Sequence, residues 1–408
     1  MQMLPSNIPA AGTLGCLLFT ISLSGQSFLA GGKAPRMFGT DMAVLEAGEP
    51  RQDLPCKVED TKALLGFDLR FHSGFEVTVP MRELAGDGNL LTIVFRVRPE
   101  GQPEGERYFI QRVNVPPIEE DSKGDAFLSG GFDVGEGKYT VEWLMRDRAE
   151  RVCSNSWKLE ASLPTKDKQI ELLEQPLSVS PSHPEQFQEE APVARAGAET
   201  PLNVKVLINF APQRTRSATL QPVDTSALVS ILRTISRDPR IGKFSLVVFN
   251  MNDQKVLHRQ DNADRIDFPK IGEALKELKL GTVDLKNLAV KNSETEFLSE
   301  LLQKEAGASS EPPDALIFAG PKVLLEQNVP QEALRSVGPV DYPVFYLNYN
   351  LYPQQIPWRD SIGHAVKHFR GIEYTISRPR DLWFAVSEMV QKIGLARQAR
   401  RAGVSTPR

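Results

Sequence analysis

His364 and His368 stand four residues apart in a stretch that reads as a helix over His364 to Arg370, so they share one face. Zinc hydrolases use that spacing, with a glutamate directly after the first histidine as base. Ala365 holds that place here, and two histidines fall short of the three protein ligands of a catalytic zinc. Ordinary surface or half-buried histidines are expected. Gly135-Glu136-Gly137-Lys138-Tyr139 has the glycines and lysine of a phosphate loop. It lacks the first glycine at the required spacing, and Tyr139 stands where a Ser or Thr would bind Mg²⁺. It also precedes a strand, so a hairpin turn is expected. The acidic run Glu119-Glu120-Asp121 reads as a solvated loop. There is no Gly-x-Ser-x-Gly elbow and no Cys-x-x-Cys. With no nucleophile and base at a readable spacing, the expectation is a protein that is not an enzyme. No catalytic residue, metal ligand or cofactor is assigned.

Phe345, Tyr346, Tyr349, Tyr352 and Trp358 cluster in and after an apolar stretch. Tyr349 to Trp358 is loop-like. Ligands of open α/β sheets bind beyond the carboxyl ends of the strands, where this loop should lie. Its aromatics either anchor a protein partner, as aromatics do in many interfaces, or cover the sheet's own edge.

The cysteines are Cys16, Cys56 and Cys153. Cys16 falls within an apolar run, Leu14 to Leu23, whose length suits a signal-peptide core and is too short to span a bilayer. No Lys or Arg precedes the run. Ser22 and Ser24 suit cleavage near Gly25, with Ala30 another option. Most of the run follows Cys16, which argues against a lipidation site. Loss of this segment would leave Cys56 and Cys153, an even pair that in an exported chain suggests a disulfide. The expected location is therefore periplasmic or extracellular, with no transmembrane helix in the mature chain. The net charge is −4, so no footprint for nucleic acid stands out.

A chain of 408 residues is too long for one ordinary core. After a signal peptide (1–30) and a loose lead-in (31–55), the segment 56–164 reads as β. Glycine-rich turns separate stretches such as Leu90 to Arg98 and Lys138 to Met145. In the latter, Tyr139, Val141, Trp143 and Met145 fall on one face. About seven short strands suggest an immunoglobulin-like sandwich. Residues 165–201 hold Pro176, Pro181, Pro184, Pro192 and Pro201 among Glu, Gln and Ser. Such a segment is expected to be an extended linker. Residues 202–394 alternate strand and helix. Val204 to Phe210 is a continuous apolar run, and a helix near Asp224 to Arg237 is capped by Asp224, with Leu228, Ile231, Leu232 and Ile235 on one face. Phe244 to Met251 reads as the next buried strand, Gln254 to Gln260 as an edge strand after the Asn252-Asp253 turn, and Gly394 as the stop of a last helix. The expectation is a doubly wound, mostly parallel α/β sheet. Residues 395–408 form a basic tail, with Arg397, Arg400, Arg401 and Arg408, expected to be solvated and frayed.

The stretches PVFYLNYN (343–350) and IGHAVKHFRGIEYTISRPRDLWFAVSEMVQKIG (362–394) resemble the end of a von Willebrand factor A (VWA) domain, and VKVLINF (204–210) resembles its first strand. With the apolar N-terminus and the sandwich, the whole resembles the acidobacterial VWFA-related proteins. The resemblance implies a metal-ion-dependent adhesion site. In that site a D-x-S-x-S run, a Thr and an Asp ending the fourth strand hold Mg²⁺, a cation that demands near-octahedral oxygen ligands. Here Asn209-Phe210-Ala211-Pro212-Gln213 replaces the first run, and Phe318-Ala319-Gly320-Pro321 offers no carboxylate. Thr282 matches the Thr position, with Asp284 nearby. The resemblance therefore implies a degenerate site and an exported, non-enzymatic interaction or adhesion module that acts without metal. Its protein partner would sit in the envelope or outside the cell. Asn209, Thr282, Asp284, Tyr349, Tyr352 and Trp358 would form its binding rim. The alternatives are a metal-dependent adhesion protein with Asp284 or Asp314 supplying charge, and an unrecognised hydrolase.

Overall fold

In the computed structural model the described residues are 27–29, 39–182, 187–195, 201–213, 220–276, 292–307, 311–351 and 360–402. They fall into two compact units. The first takes in the chain up to Thr61, Phe75–Gly130 and Tyr139–Lys158. The second takes in Lys62–Gly74, Gly131–Lys138 and everything from Leu159 onward.

The first elements are strand β1 (Ser27–Leu29), helix α1 (Gly39–Ala47) and strands β2 (Arg51–Gln52), β3 (Lys57–Leu65) and β4 (Phe71–Pro80). Strands β5 (Asn89–Pro99), β6 (Arg107–Val115), β7 (Asp125–Val134), β8 (Gly137–Arg146), β9 (Val152–Ala161) and β10 (Val179–Pro181) follow. They make a six-stranded sheet in the order β1-β6-β5-β8-β9-β2 and a four-stranded sheet in the order β10-β7-β4-β3. Within the first unit, Phe75 of β4 meets Phe95 and Trp143 of the other sheet at 5.3 Å each, and Phe95 stacks on Phe109 at 4.7 Å. This is the sandwich core. Gly130 is required there, because a Cβ would stand 2.5 Å from the Phe75 ring.

Tyr139, Val141, Trp143 and Met145 are all fully buried, as the alternation predicts. The opposite face of β8 is covered as well. Leu144 packs with Leu45 of α1, Val94 and Val152, and Glu142 takes ion pairs from Arg96 (3.2 Å) and Arg98 (2.6 Å). The lead-in, expected to be loose, thus contributes a helix. Asp41, itself buried, holds Arg146 through two hydrogen bonds of 3.0 and 3.4 Å. One buried leucine and one ion pair leave no periodicity to read. Cys56 and Cys153 form a disulfide across a separation of 97 residues.

The segment 165–201 does not stand off as a free spacer where it is described. β10 pairs antiparallel with β7, Val179 opposite Val134. Phe187 packs against the core of the second unit. Glu190 pairs with Arg233 (3.0 Å) and Arg237 (2.6 Å), and Arg195 donates to the Ser236 and Asp238 carbonyls.

The second unit continues with β11 (Leu202–Asn209), α2 (Pro222–Arg237), β12 (Ile241–Asn250), β13 (Lys255–Ala263), α3 (Phe268–Lys276), α4 (Ser293–Ala306) and β14 (Ala315–Pro321). Then come α5 (Gln331–Ser336), β15 (Val344–Tyr349), α6 (Ser361–His368), β16 (Ile372–Ile376) and α7 (Pro379–Arg401). The strands order as β13-β12-β11-β14-β15-β16.

The second unit does not hold the expected doubly wound, mostly parallel sheet. The chain as a whole is mainly β, and this sheet is mixed, because β13 runs antiparallel to β12. The reversal takes only Met251 to Gln254, with Gln254 at φ 51° and Asn250 Oδ1 accepting from Asp253 N at 3.0 Å. A parallel crossover needs a dozen or more residues, so a turn this short forces a hairpin. Two of the helices are also short: α3 has nine residues and α5 six.

Two further expectations change. Gly394 does not stop the last helix, which runs to Arg401. Arg397 and Arg400 both pair with Asp314, at 3.4 and 3.1 Å, so two residues of the expected frayed tail are tied down. Asp224 caps α2 from the third helical position, not from in front of it, accepting from Gln221 N at 3.4 Å.

Candidate functional site

The rim of the mixed sheet is built from the ends of β11, β12, β14 and β15. Their apolar runs bury the strands on both faces, and each run ends in asparagine or glycine. Asn209 is fully buried. Its Oδ1 accepts from Met251 N at 3.1 Å, which ties the end of β11 to the turn after β12. Its Nδ2 is buried without a partner. Asn250 ties the same two strand ends from the other side, donating from Nδ2 to the Phe210 carbonyl at 2.7 Å.

Gly320 closes the space next to Asn209. It sits at φ +132°, and a Cβ there would lie 2.8 Å from the Asn209 carbonyl oxygen. No aspartate fits at the end of β14 without displacing that backbone.

Tyr349 is also fully buried, not presented to solvent. Its hydroxyl donates to Asp224 Oδ1 at 3.3 Å, and Phe67 packs edge-on against its ring at 6.2 Å. Asn209 and Tyr349 are therefore structural, and neither forms a contact surface. Thr282, Asp284, Tyr352 and Trp358 lie outside the described residues. Phe345 and Tyr346 are buried in strand β15. Asp314, an alternative source of metal charge, precedes β14 and so lies at the opposite end of the sheet. There it accepts from Asn203 N at 2.9 Å. His364 and His368 belong to α6. Among the described residues, no group of three or more His, Cys, Asp or Glu side chains is placed to hold a metal.

Composition and spacing did not point to Asp360. It caps α6, with Oδ1 accepting from Ile362 N and Val323 N at 3.1 Å each. Its Oδ2 is buried and makes no hydrogen bond of good geometry. Burial pushes its pKa up to about 6; the Val323 and Gly363 amides oppose this and the charge of Glu373 adds to it. Next to it, fully buried Tyr346 donates to the Pro321 carbonyl at 3.2 Å, and Asn348 donates to Glu373 at 2.9 Å. The one available signal was a helix-capping Asp before Ser361.

A second polar cluster pins the turn between β3 and β4. His72 Nδ1 lies 2.7 Å from Asp133 and Nε2 lies 2.9 Å from Asp68. Burial opposes a charge on the imidazole, but the hydrogen bonds to Asp133 and Asp68 outweigh it and lift its pKa to about 10. Both nitrogens are then donors, and the ring has no lone pair for a metal or a proton. The cluster is an ion-pair staple.

No protein-family model matches the chain, and no curated protein matches it. Among solved structures it is similar to the PilB minor pilin of Streptococcus sanguinis, with 10% identity over 74% of this chain and 87% of that one, at a TM-score of 0.27. It is also similar to a glycosyl hydrolase family 2 member from Bacteroides cellulosilyticus, with 9% identity over 78% of this chain and 38% of that one, at a TM-score of 0.19. A calcium-binding mutant of Bacteroides uniformis beta-glucuronidase 2 has 11% identity over 77% and 38%, at a TM-score of 0.18. The chain thus spans well under half the length of these two enzymes. Likenesses this distant carry no functional argument.

Proposed function

We propose that this is an exported, non-enzymatic protein-interaction module that acts without a bound metal. One observation carries the metal-free reading. Where a metal-dependent rim needs free carboxylate and hydroxyl oxygens, Asn209 spends its only side-chain oxygen on Met251 N, and Gly320 leaves no room for a side chain. Mg²⁺ gives up its water shell only to several well-placed oxygens. Export is supported by the Cys56–Cys153 disulfide, since such bonds persist in oxidising compartments, and by the apolar run at Leu14 to Leu23. No helix among the described residues is long and apolar enough to cross a membrane.

The test is a pull-down from envelope extract with and without chelator, paired with thermal melts in Mg²⁺ and Mn²⁺. The same specific partner is expected in both arms, with no shift in melting temperature. Loss of capture in chelator, or a divalent-dependent rise in melting temperature, would sink the metal-free reading. Turnover of a generic hydrolase substrate by the purified protein would sink the non-enzymatic one.

A further inference from the structure

A cavity of about 490 Å³ lies away from the rim, between β13 at the free edge of the mixed sheet and the start of α3. Sites for small ligands usually span roughly 300–1,000 Å³. The wall of this one is held in shape before anything binds. Gln260 donates from Nε2 to the Arg265 carbonyl at 2.5 Å and accepts at Oε1 from Asp267 N at 3.1 Å. One amide thereby fixes both ends of the loop that closes the cavity. Asp267 in turn accepts from Lys270 N at 3.1 Å and anchors the start of α3.

His258 lines the same cavity, and its Nε2 is buried with no hydrogen-bond partner. Burial holds the imidazole below its ordinary pKa; the charge of Asp267 opposes this, that of Lys270 presses the same way, and the neighbouring Gln260 amide opposes it. A buried polar atom left unpaired is costly, so a ligand atom that pairs with it gains affinity.

The mouth carries Arg265 and Lys270, whose side chains are 63% and 66% exposed, and Lys270 Nζ pairs with Asp267 at 3.0 Å. Arg265 already holds a carboxylate, that of Glu189, at 2.6 Å. That pair is exposed on both sides, and exposed pairs are weak because solvent screens them. A guanidinium presents five donors in a fork that matches a carboxylate, so an incoming acid can share Arg265 with Glu189 or displace it.

We propose that this cavity binds a small molecule through a carboxylate group. Arg265 and Lys270 take the carboxylate at the mouth, and His258 Nε2 pairs with a polar atom further in. Glu189, from the chain's own connector, occupies the carboxylate position until the ligand arrives. The assignment is independent of the interaction reading and stands or falls without it.

The test is isothermal titration of the full chain with succinate and with succinamide, its uncharged counterpart. Succinate is expected to bind with a Kd of about 1 mM or tighter, and succinamide about tenfold or more weakly. R265A/K270A should weaken succinate by about tenfold and H258A by severalfold, whereas E189Q should tighten it. Circular dichroism of each variant separates lost binding from lost folding. A blocked tripeptide with a free C-terminal carboxylate, compared with its amide, distinguishes the two sources of the group. Tighter binding of the peptide acid assigns chain ends, and tighter binding of succinate assigns free acids. Absence of saturable heat from both acids, or succinate binding unchanged in R265A/K270A, overturns the proposal.

Discussion

At the scale of single residues, the rim is governed by side chains that have exchanged ligand chemistry for structural bonds. Asp360 shows the cost. It must cap α6 and face Val323 N, yet one oxygen is buried with no hydrogen bond of good geometry. Its folded pKa, about 6, lies above the ordinary carboxylate value, so the folded state binds the proton more tightly. Its contribution is then fully present below about pH 4 and is lost as pH rises through about 6. D360N keeps the capping oxygen and removes the buried charge. It should stabilise by about 1–2 kcal/mol at pH 7, by about half that at pH 5 and by little at about pH 3.5, measured by urea unfolding at the three values. His72 has the opposite charge type. Its folded pKa is raised to about 10, so its stabilisation is complete below about pH 6.5 and disappears as pH rises through 10. The wild-type urea midpoint should fall between pH 7 and pH 10 by more than that of H72Q. Equal falls would show that the imidazolium contributes nothing, a real risk for a ring whose side chain is 41% exposed.

At the scale of elements, the β12–β13 hairpin decides the character of the sheet. Asn250 makes two of the bonds that shape it, one to the Phe210 carbonyl and one from Asp253 N. N250A removes both and leaves the buried carbonyl unsatisfied. A loss of about 1–3 kcal/mol is expected in chemical denaturation, with faster hydrogen exchange confined to the turn and the start of β13. The two strands were legible in the sequence as apolar or alternating runs, and the Asn252-Asp253 turn was legible as well. The antiparallel pairing is hidden by the strand-helix alternation of the rest of the unit, which implies parallel crossovers throughout. Turn length was the better guide. The helix α1 was illegible for a different reason. Asp41 and Leu45 matter only because Arg146, Val94, Leu144 and Val152 come to them from distant parts of the chain.

At the scale of the whole molecule, the disulfide joins two cysteines of the first unit and closes a loop across a separation of 97 residues. In the chain-entropy account such a loop contributes about 4–5 kcal/mol, less whatever strain the native bond carries. C56S/C153S should lower the urea midpoint markedly, and wild-type protein in reductant should match it. If the variant melts with the oxidised wild type, the bond is stabilising nothing. The connector gives a second check. Phe187, Glu190 and Arg195 dock on the second unit, so limited proteolysis should spare 187–195 in the wild type and cut there in F187A/E190A.

The sequence by itself determined the β-rich first half, the cysteine pair, the buried strand at Val204 to Phe210 and the buried face of α2. Each follows from local period or composition, which a linear chain displays openly. Only the tertiary structure decided what the polar residues at the rim do. Asn209 and Tyr349 looked like contact residues because type and position along the chain suggested it. Their role depends on Met251, Gly320, Phe67 and Asp224, which folding brings to them. The cavity beside β13 has the same origin. A buried nitrogen on His258 and a borrowed carboxylate on Arg265 acquire meaning only once strand, loop and connector share a surface.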